Sequence, residues 1–236
     1  MNSIQRTART AGVLYLIITI AAIFAHFYVP STIIVPGDAA ATANNIVNNG
    51  TLFRVGGVGS ELIVLLSEII LSVLLYFIFK PVNRTLSMLA AVSRLAMTTI
   101  HGFNLINYFF AMLLLNGAGY LAAFDAGQLQ GLVMLFLDAH SYGFTIGIAF
   151  LTLHVFMLGY LIIKSGFIPK IFGILFLAAG VGYLIDSFAL LLSTTYETTP
   201  AYIAVTIAIA ELAFPLWLLI KGVNVEKWDE HNLQSA

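Results

Sequence analysis

The chain has 236 residues, of which 60% are hydrophobic and 9% charged, with 10 Lys and Arg against 11 Asp and Glu. A soluble domain carries about 25% charged and about 45–50% apolar residues, so water is not the main solvent here, and the balanced charge leaves no surface for nucleic acid. There is no cysteine, which excludes disulfides, iron–sulfur clusters, Cys-ligated zinc and a thiol nucleophile.

A bilayer core of about 30 Å is crossed by about 20 mostly apolar residues in a helix. The first such stretch is 12–29. Arg6 and Arg9 before it also fit a signal peptide, but the apolar core is long for one and no small-x-small cleavage pattern follows before His26. The span is therefore read as retained. Next comes an exterior segment, 30–59, in which Pro36-Gly37-Asp38 predicts a turn and an Asp N-cap for a short helix over 39–48. The second span is 60–79, followed by a short cytoplasmic link and a third span over 86–116. Residues 117–138 are external, and their second half is expected to extend the fourth span outward, broken or kinked near Ser141-Tyr142-Gly143. The fourth, fifth and sixth spans are 141–163, 168–192 and 201–220. The predicted fold is all-α: one polytopic six-helix transmembrane bundle over 1–223, with a polar tail over 224–236 that is expected to fray.

Orientation follows from the cations. Arg6, Arg9, Lys80, Arg84, Lys164, Lys170, Lys221 and Lys227 fall on one side of the threaded chain, and Arg54 falls on the other. Both termini are expected to be cytoplasmic.

The few polar residues within spans are the informative ones. A charge there costs about 2.5–3.5 kcal/mol on insertion scales, so it turns to the bundle interior or to a cavity. At about 1.5 Å per residue from the cytoplasmic ends, Glu68, Arg94, His154 and Glu211 fall at about 16, 12, 15 and 14 Å. Four spans thus bring charge to one level. A second level lies nearer the exterior, with Glu61 and Asp186 at about 27 Å, His26 at about 24 Å and His101 at about 22 Å. Arg54, Glu61 and Glu68 recur every seven residues, as do Arg94 and His101, which places each set on one helical face.

Two readings stand for the lower level. One is a buried ion-pair network in which Arg94 takes Glu68, Glu211 or both, with His154 as a further donor. The other is a cavity where these residues hold a proton or a small ligand. Glu61, His101, Asp186 and His140 read as the exterior approach. With His26 or Asp138 they also offer oxygen and nitrogen donors to zinc or a similar ion, although no His-x-x-x-His spacing is present. Asp138 and His140 are two apart and so face opposite ways on a helix. Gly56-Gly57-Val58-Gly59-Ser60 lacks the Lys of a phosphate loop and reads as close helix packing or a flexible entrance. Tyr15, Tyr108, Tyr183 and Trp217 read as interface anchors or core. Pro215 follows Glu211 by four residues and disturbs that residue's own carbonyl, a kink beside a carboxylate.

Several local strings carry a family resemblance: Thr7-Ala8-Arg9-Thr10-Ala11-Gly12, Val35-Pro36-Gly37-Asp38, Lys80-Pro81-Val82-Asn83, Ala139-His140-Ser141-Tyr142-Gly143, Gly182-Tyr183-Leu184-Ile185-Asp186-Ser187-Phe188 and Trp217-Leu218-Leu219-Ile220-Lys221-Gly222. Together they resemble the bacterial family called domain of unknown function 4386, nearly end to end. The resemblance implies a multi-pass protein of the bacterial cytoplasmic membrane and transfers no activity. The expected function is a transporter or sensor that binds a proton or small ligand through Glu68, Arg94, His154 and Glu211. A membrane-embedded metal-dependent enzyme acting on lipid and a structural or assembly subunit remain as alternatives. The sequence specifies no cofactor. The bilayer is the expected partner, nucleic acid is not, and a homo-oligomer is compatible with either reading.

Overall fold

A computed structural model describes residues 3–196 and 198–234. Among them every regular element is helical and there is no strand. Five helical runs are long and apolar enough to cross a membrane: Ser3–Ile33, Leu52–Phe79, Ala126–Ser165, Lys170–Leu192 and Ala201–Ile220. Their outer faces carry large apolar side chains in the open, such as Ile20 at 69%, Leu66 at 64% and Phe77 at 51% exposure. Soluble proteins rarely expose contiguous apolar surface of this kind. Hydrocarbon is the solvent that suits it.

The first run is α1 (Ser3–Ile23), a π-helical segment (Phe24–Tyr28) and α2 (Val29–Ile33), so it begins earlier and ends later than the apolar stretch alone indicated. A turn with Gly37 at φ 78° leads to α3 (Ala39–Asn48). The expected cap is present: Asp38 accepts from the Ala41 amide at 2.8 Å. A second π-helical segment (Leu52–Gly59) runs into α4 (Ser60–Phe79).

The expected third span divides into α5 (Arg84–Asn104) and α6 (Ile106–Leu114), with Leu105 between them. Neither part satisfies both criteria of length and apolarity. α5 has the length, but Arg84, Arg94 and His101 make it polar; α6 is apolar, but only 9 residues long. The break expected at Ser141-Tyr142-Gly143 does not occur, because α7 is one helix over Ala126–Ser165. At 40 residues it is about 60 Å long, twice the thickness of a bilayer core. Gly143 is needed there for space: a Cβ would overlap the side chain of Asn104.

α8 (Lys170–Leu192) and α9 (Ala201–Ile220) follow. Within the tail, where fraying was expected, Val225–Gln234 is helical. α10 (Val225–Gln234) starts on Asn224, whose side chain accepts from the Lys227 amide at 3.1 Å.

The chain forms two compact units that interleave along the sequence. The first comprises Met1–Thr19, Leu66–Thr99 and Thr145–Ala236. In it α1 meets α9 backbone to backbone: a Cβ on Gly12 would lie 2.7 Å from the Leu219 nitrogen and 2.8 Å from the Pro215 oxygen. Hydroxyls join α4 to α5, with Ser72 donating to the Ala91 carbonyl and Ser87 to the Tyr76 carbonyl. The Trp228 indole donates to the Ile78 carbonyl at 2.9 Å and holds α10 in place.

The second unit comprises Ile20–Leu65 and Ile100–Phe144. Its core gathers Val29, Ile33, Phe53, Tyr108 and Leu137. Of the glycine-rich string, read from the sequence as close packing or a flexible entrance, Gly56 packs tightly here. A Cβ on Gly56 would lie 2.8 Å from the Phe24 ring and 3.0 Å from Val29. Both π-helical segments belong to this unit. π-Helix makes up well under 1% of residues in proteins and concentrates at functional sites.

Candidate functional site

Each unit contains a buried polar cluster. In the first unit, α4, α5, α7 and α1 bring Glu68, Arg94, His154 and Tyr15 together, all at most 5% exposed. Arg94 forks onto Glu68, with Nε donating to Oε2 and Nη2 donating to Oε1 at 2.9 Å. Its Nη1 lies 2.9 Å from the Tyr15 hydroxyl and 2.9 Å from His154 Nε2. His154 Nδ1 lies 2.9 Å from the Ala90 carbonyl. That carbonyl only accepts, so Nδ1 carries the ring proton and Nε2 accepts from Arg94. His154 is therefore an acceptor toward Arg94, where the sequence reading had it donate. Both Glu68 oxygens, three guanidinium nitrogens and both imidazole nitrogens are engaged.

Glu211, the fourth residue of that level, pairs elsewhere. The Tyr183 hydroxyl donates to its Oε1 at 2.5 Å. Asp186 is closed off by its own loop, with Tyr196 donating to Oδ1 at 2.7 Å and Thr199 to Oδ2 at 2.9 Å.

The second unit brings Glu61, His26, His140 and His101 to one place. Glu61 is 2% exposed. Its Oε1 lies 3.5 Å from His26 Nδ1 and 3.5 Å from His140 Nε2, and it has no hydrogen bond. A nitrogen–oxygen hydrogen bond spans about 2.7–3.2 Å, so both imidazoles stop short of one. The surrounding rings are held firmly. Tyr108 stacks on His140 with centroids 3.8 Å apart, and Phe144 lies against both His26 and His101. His101 Nε2 is 3.0 Å from the Phe144 carbonyl. Asn104 donates to the His140 carbonyl at 2.8 Å and accepts from Asn107 at 2.9 Å. Among the described residues no three His, Asp or Glu side chains are already gathered tightly enough to hold a metal ion.

The seven-residue stripe on the second span is interrupted for a structural reason. A π-helical turn contains an extra residue, so the segment Leu52–Gly59 rotates Arg54 off the face that Glu61 and Glu68 share. Arg54 is exposed, while Glu61 and Glu68 are buried. Asp138 is exposed and His140 buried, as their spacing on a helix requires.

Sequence reasoning missed Tyr15 on Arg94, Tyr183 on Glu211 and Tyr108 on His140, because a tyrosine among apolar residues looks the same as an interface anchor. It also missed both π-helical segments, which leave no compositional mark.

Fold and clusters together define a multi-pass α-helical membrane protein with buried polar groups. The profile of the family described as Domain of unknown function (DUF4386) matches residues 10–222, and the chain belongs to that family. An uncharacterized protein of the archaeon Archaeoglobus fulgidus is 30% identical over 165 residues, covering 70% of this chain and 82% of its own. No solved structure matches the chain.

Proposed function

We propose that this protein is a transporter or sensor that binds a small ligand at the buried polar cluster of its second unit. It crosses the cytoplasmic membrane six times with both termini inside, α5 serving as the polar third span because its buried charge, Arg94, is paired with Glu68. The observation that carries this reading is Glu61 Oε1, a buried carboxylate oxygen flanked by two imidazoles and bonded to neither. Burying such an oxygen without a partner costs about 1–3 kcal/mol or more, a cost that a bound ligand offsets. Both helical runs that supply Glu61 and His26 change to π geometry beside it, which supports a functional origin.

Glu68, Arg94 and His154, the residues the sequence favoured, are assigned to fastening the first unit, since each of their side-chain nitrogens and carboxylate oxygens already has a partner. The test is native mass spectrometry, with elemental analysis, of tag-free protein purified gently. A ligand retained by the wild type and absent from Glu61→Gln is the expected outcome; bare protein in both would overturn the reading.

One observation favours a second reading, in which Glu211 carries a proton. Its carboxylate shares a 2.5 Å hydrogen bond with Tyr183, one turn before Pro215. Proton flux in vesicles that survives Glu211→Gln unchanged would remove this reading.

A further inference from the structure

We infer that the ligand of this cluster is a divalent transition-metal ion of the zinc class, bound by Glu61, His26 and His140 with His101 as the closing ligand. This inference rests on the ligand-binding reading above and names its chemistry.

The donor set is the first ground. Imidazole nitrogen with a single carboxylate suits zinc, cobalt or nickel, whereas magnesium and calcium take oxygen. The second ground is spacing. Metal–nitrogen bonds of about 2.0–2.1 Å and metal–oxygen bonds of about 2.0–2.2 Å at tetrahedral angles put neighbouring donors about 3.4 Å apart. The two nitrogen–oxygen separations at Glu61 are both 3.5 Å. That is too long for hydrogen bonds and matches two edges of such a tetrahedron. His26 presents Nδ1 and His140 presents Nε2, so both rings turn a nitrogen toward the same oxygen.

His101 supplies the third ground. The Phe144 carbonyl only accepts, so His101 Nε2 donates to it. A histidine that donates one ring N–H to a backbone carbonyl is oriented as metal-binding histidines are. Three such donors do not yet surround one point. Closing the set takes a shift of the three imidazoles toward Glu61, with Phe144 stacked on His101 at 4.8 Å and packed against His26. Asn104 and Asn107 anchor the His140 backbone and keep that ring in register.

Cobalt(II) titrated into tag-free, full-length protein in detergent, followed by its visible d–d absorption, tests the inference. One cobalt per chain with intense tetrahedral bands, displaced stoichiometrically by zinc, is expected. Glu61→Gln and His140→Gln should each weaken binding more than about 100-fold, beyond the about 10–100-fold typical of residues that only orient a ligand. Asp186→Asn should leave it unchanged, its carboxylate being held by Tyr196 and Thr199. A thermal melt of each variant separates lost ligation from lost fold, and His26→Gln serves where one of the others fails to fold. Absent bands, or wild-type affinity in folded Glu61→Gln, would overturn the metal. If mass spectrometry then shows an organic ligand lost in Glu61→Gln, the ligand-binding reading stands without the metal; if it shows none, both fall.

Discussion

The polar clusters of the two units differ in how completely they are bonded. Around Arg94, the side chains of Glu68, Tyr15 and His154 meet a guanidinium at hydrogen-bonding distance, and a backbone carbonyl fixes the histidine proton. Around Glu61, two imidazoles stop at 3.5 Å and one carboxylate oxygen is left over. The first arrangement already satisfies its buried groups, so removing any one of them exposes the others to an apolar interior. The second is held in shape by ring stacking and by Asn104, and its central acid contributes little to that shape. Each cluster contains a buried glutamate with histidine nearby. Saturation of the hydrogen bonds is what separates a fastening from a site.

The largest effect that would break this contrast is expected at Arg94. Arg94→Met leaves Glu68 buried and unpaired, a loss of about 3–5 kcal/mol, read as a lower unfolding temperature in detergent. A wild-type melt would mean that the cluster in the first unit is not a fastening. Gly12→Ala comes next. Its methyl would lie 2.7 Å from the Leu219 backbone, and parting α1 from α9 costs about 1–3 kcal/mol, visible in the same melt. In the second unit, Asp38→Ala removes the cap of α3 and costs about 1 kcal/mol, which hydrogen exchange would show as faster exchange confined to α3 amides. The smallest effect on stability is expected at Glu61. Glu61→Gln removes no hydrogen bond of Oε1, so it should cost less than about 1 kcal/mol while abolishing ligand retention. A melt as low as that of Arg94→Met would make the two clusters equivalent.

The sequence by itself determined that this is a multi-pass α-helical membrane protein, because apolar length and scarcity of charge are properties of composition. It determined the bounds of α9 and the capped helix α3, since a long apolar run and an Asp N-cap are local signals. It also determined which residues are expensive to bury, and the Arg94–Glu68–His154 level followed from counting residues along spans. Only the tertiary structure decided what those residues do. Glu211 turned to Tyr183 and Asp186 to its own loop, choices set by which helix packs beside which. Glu61, His26 and His140 converged through two π-helical segments whose extra residue breaks the α-helical count on which the sequence reading depended. α7 runs unbroken through Ser141-Tyr142-Gly143, and the glycine there serves the close approach of Asn104 from another helix. Period and composition are written along one chain, whereas the satisfaction of a buried polar atom depends on partners from other helices, and no single stretch of sequence contains that information.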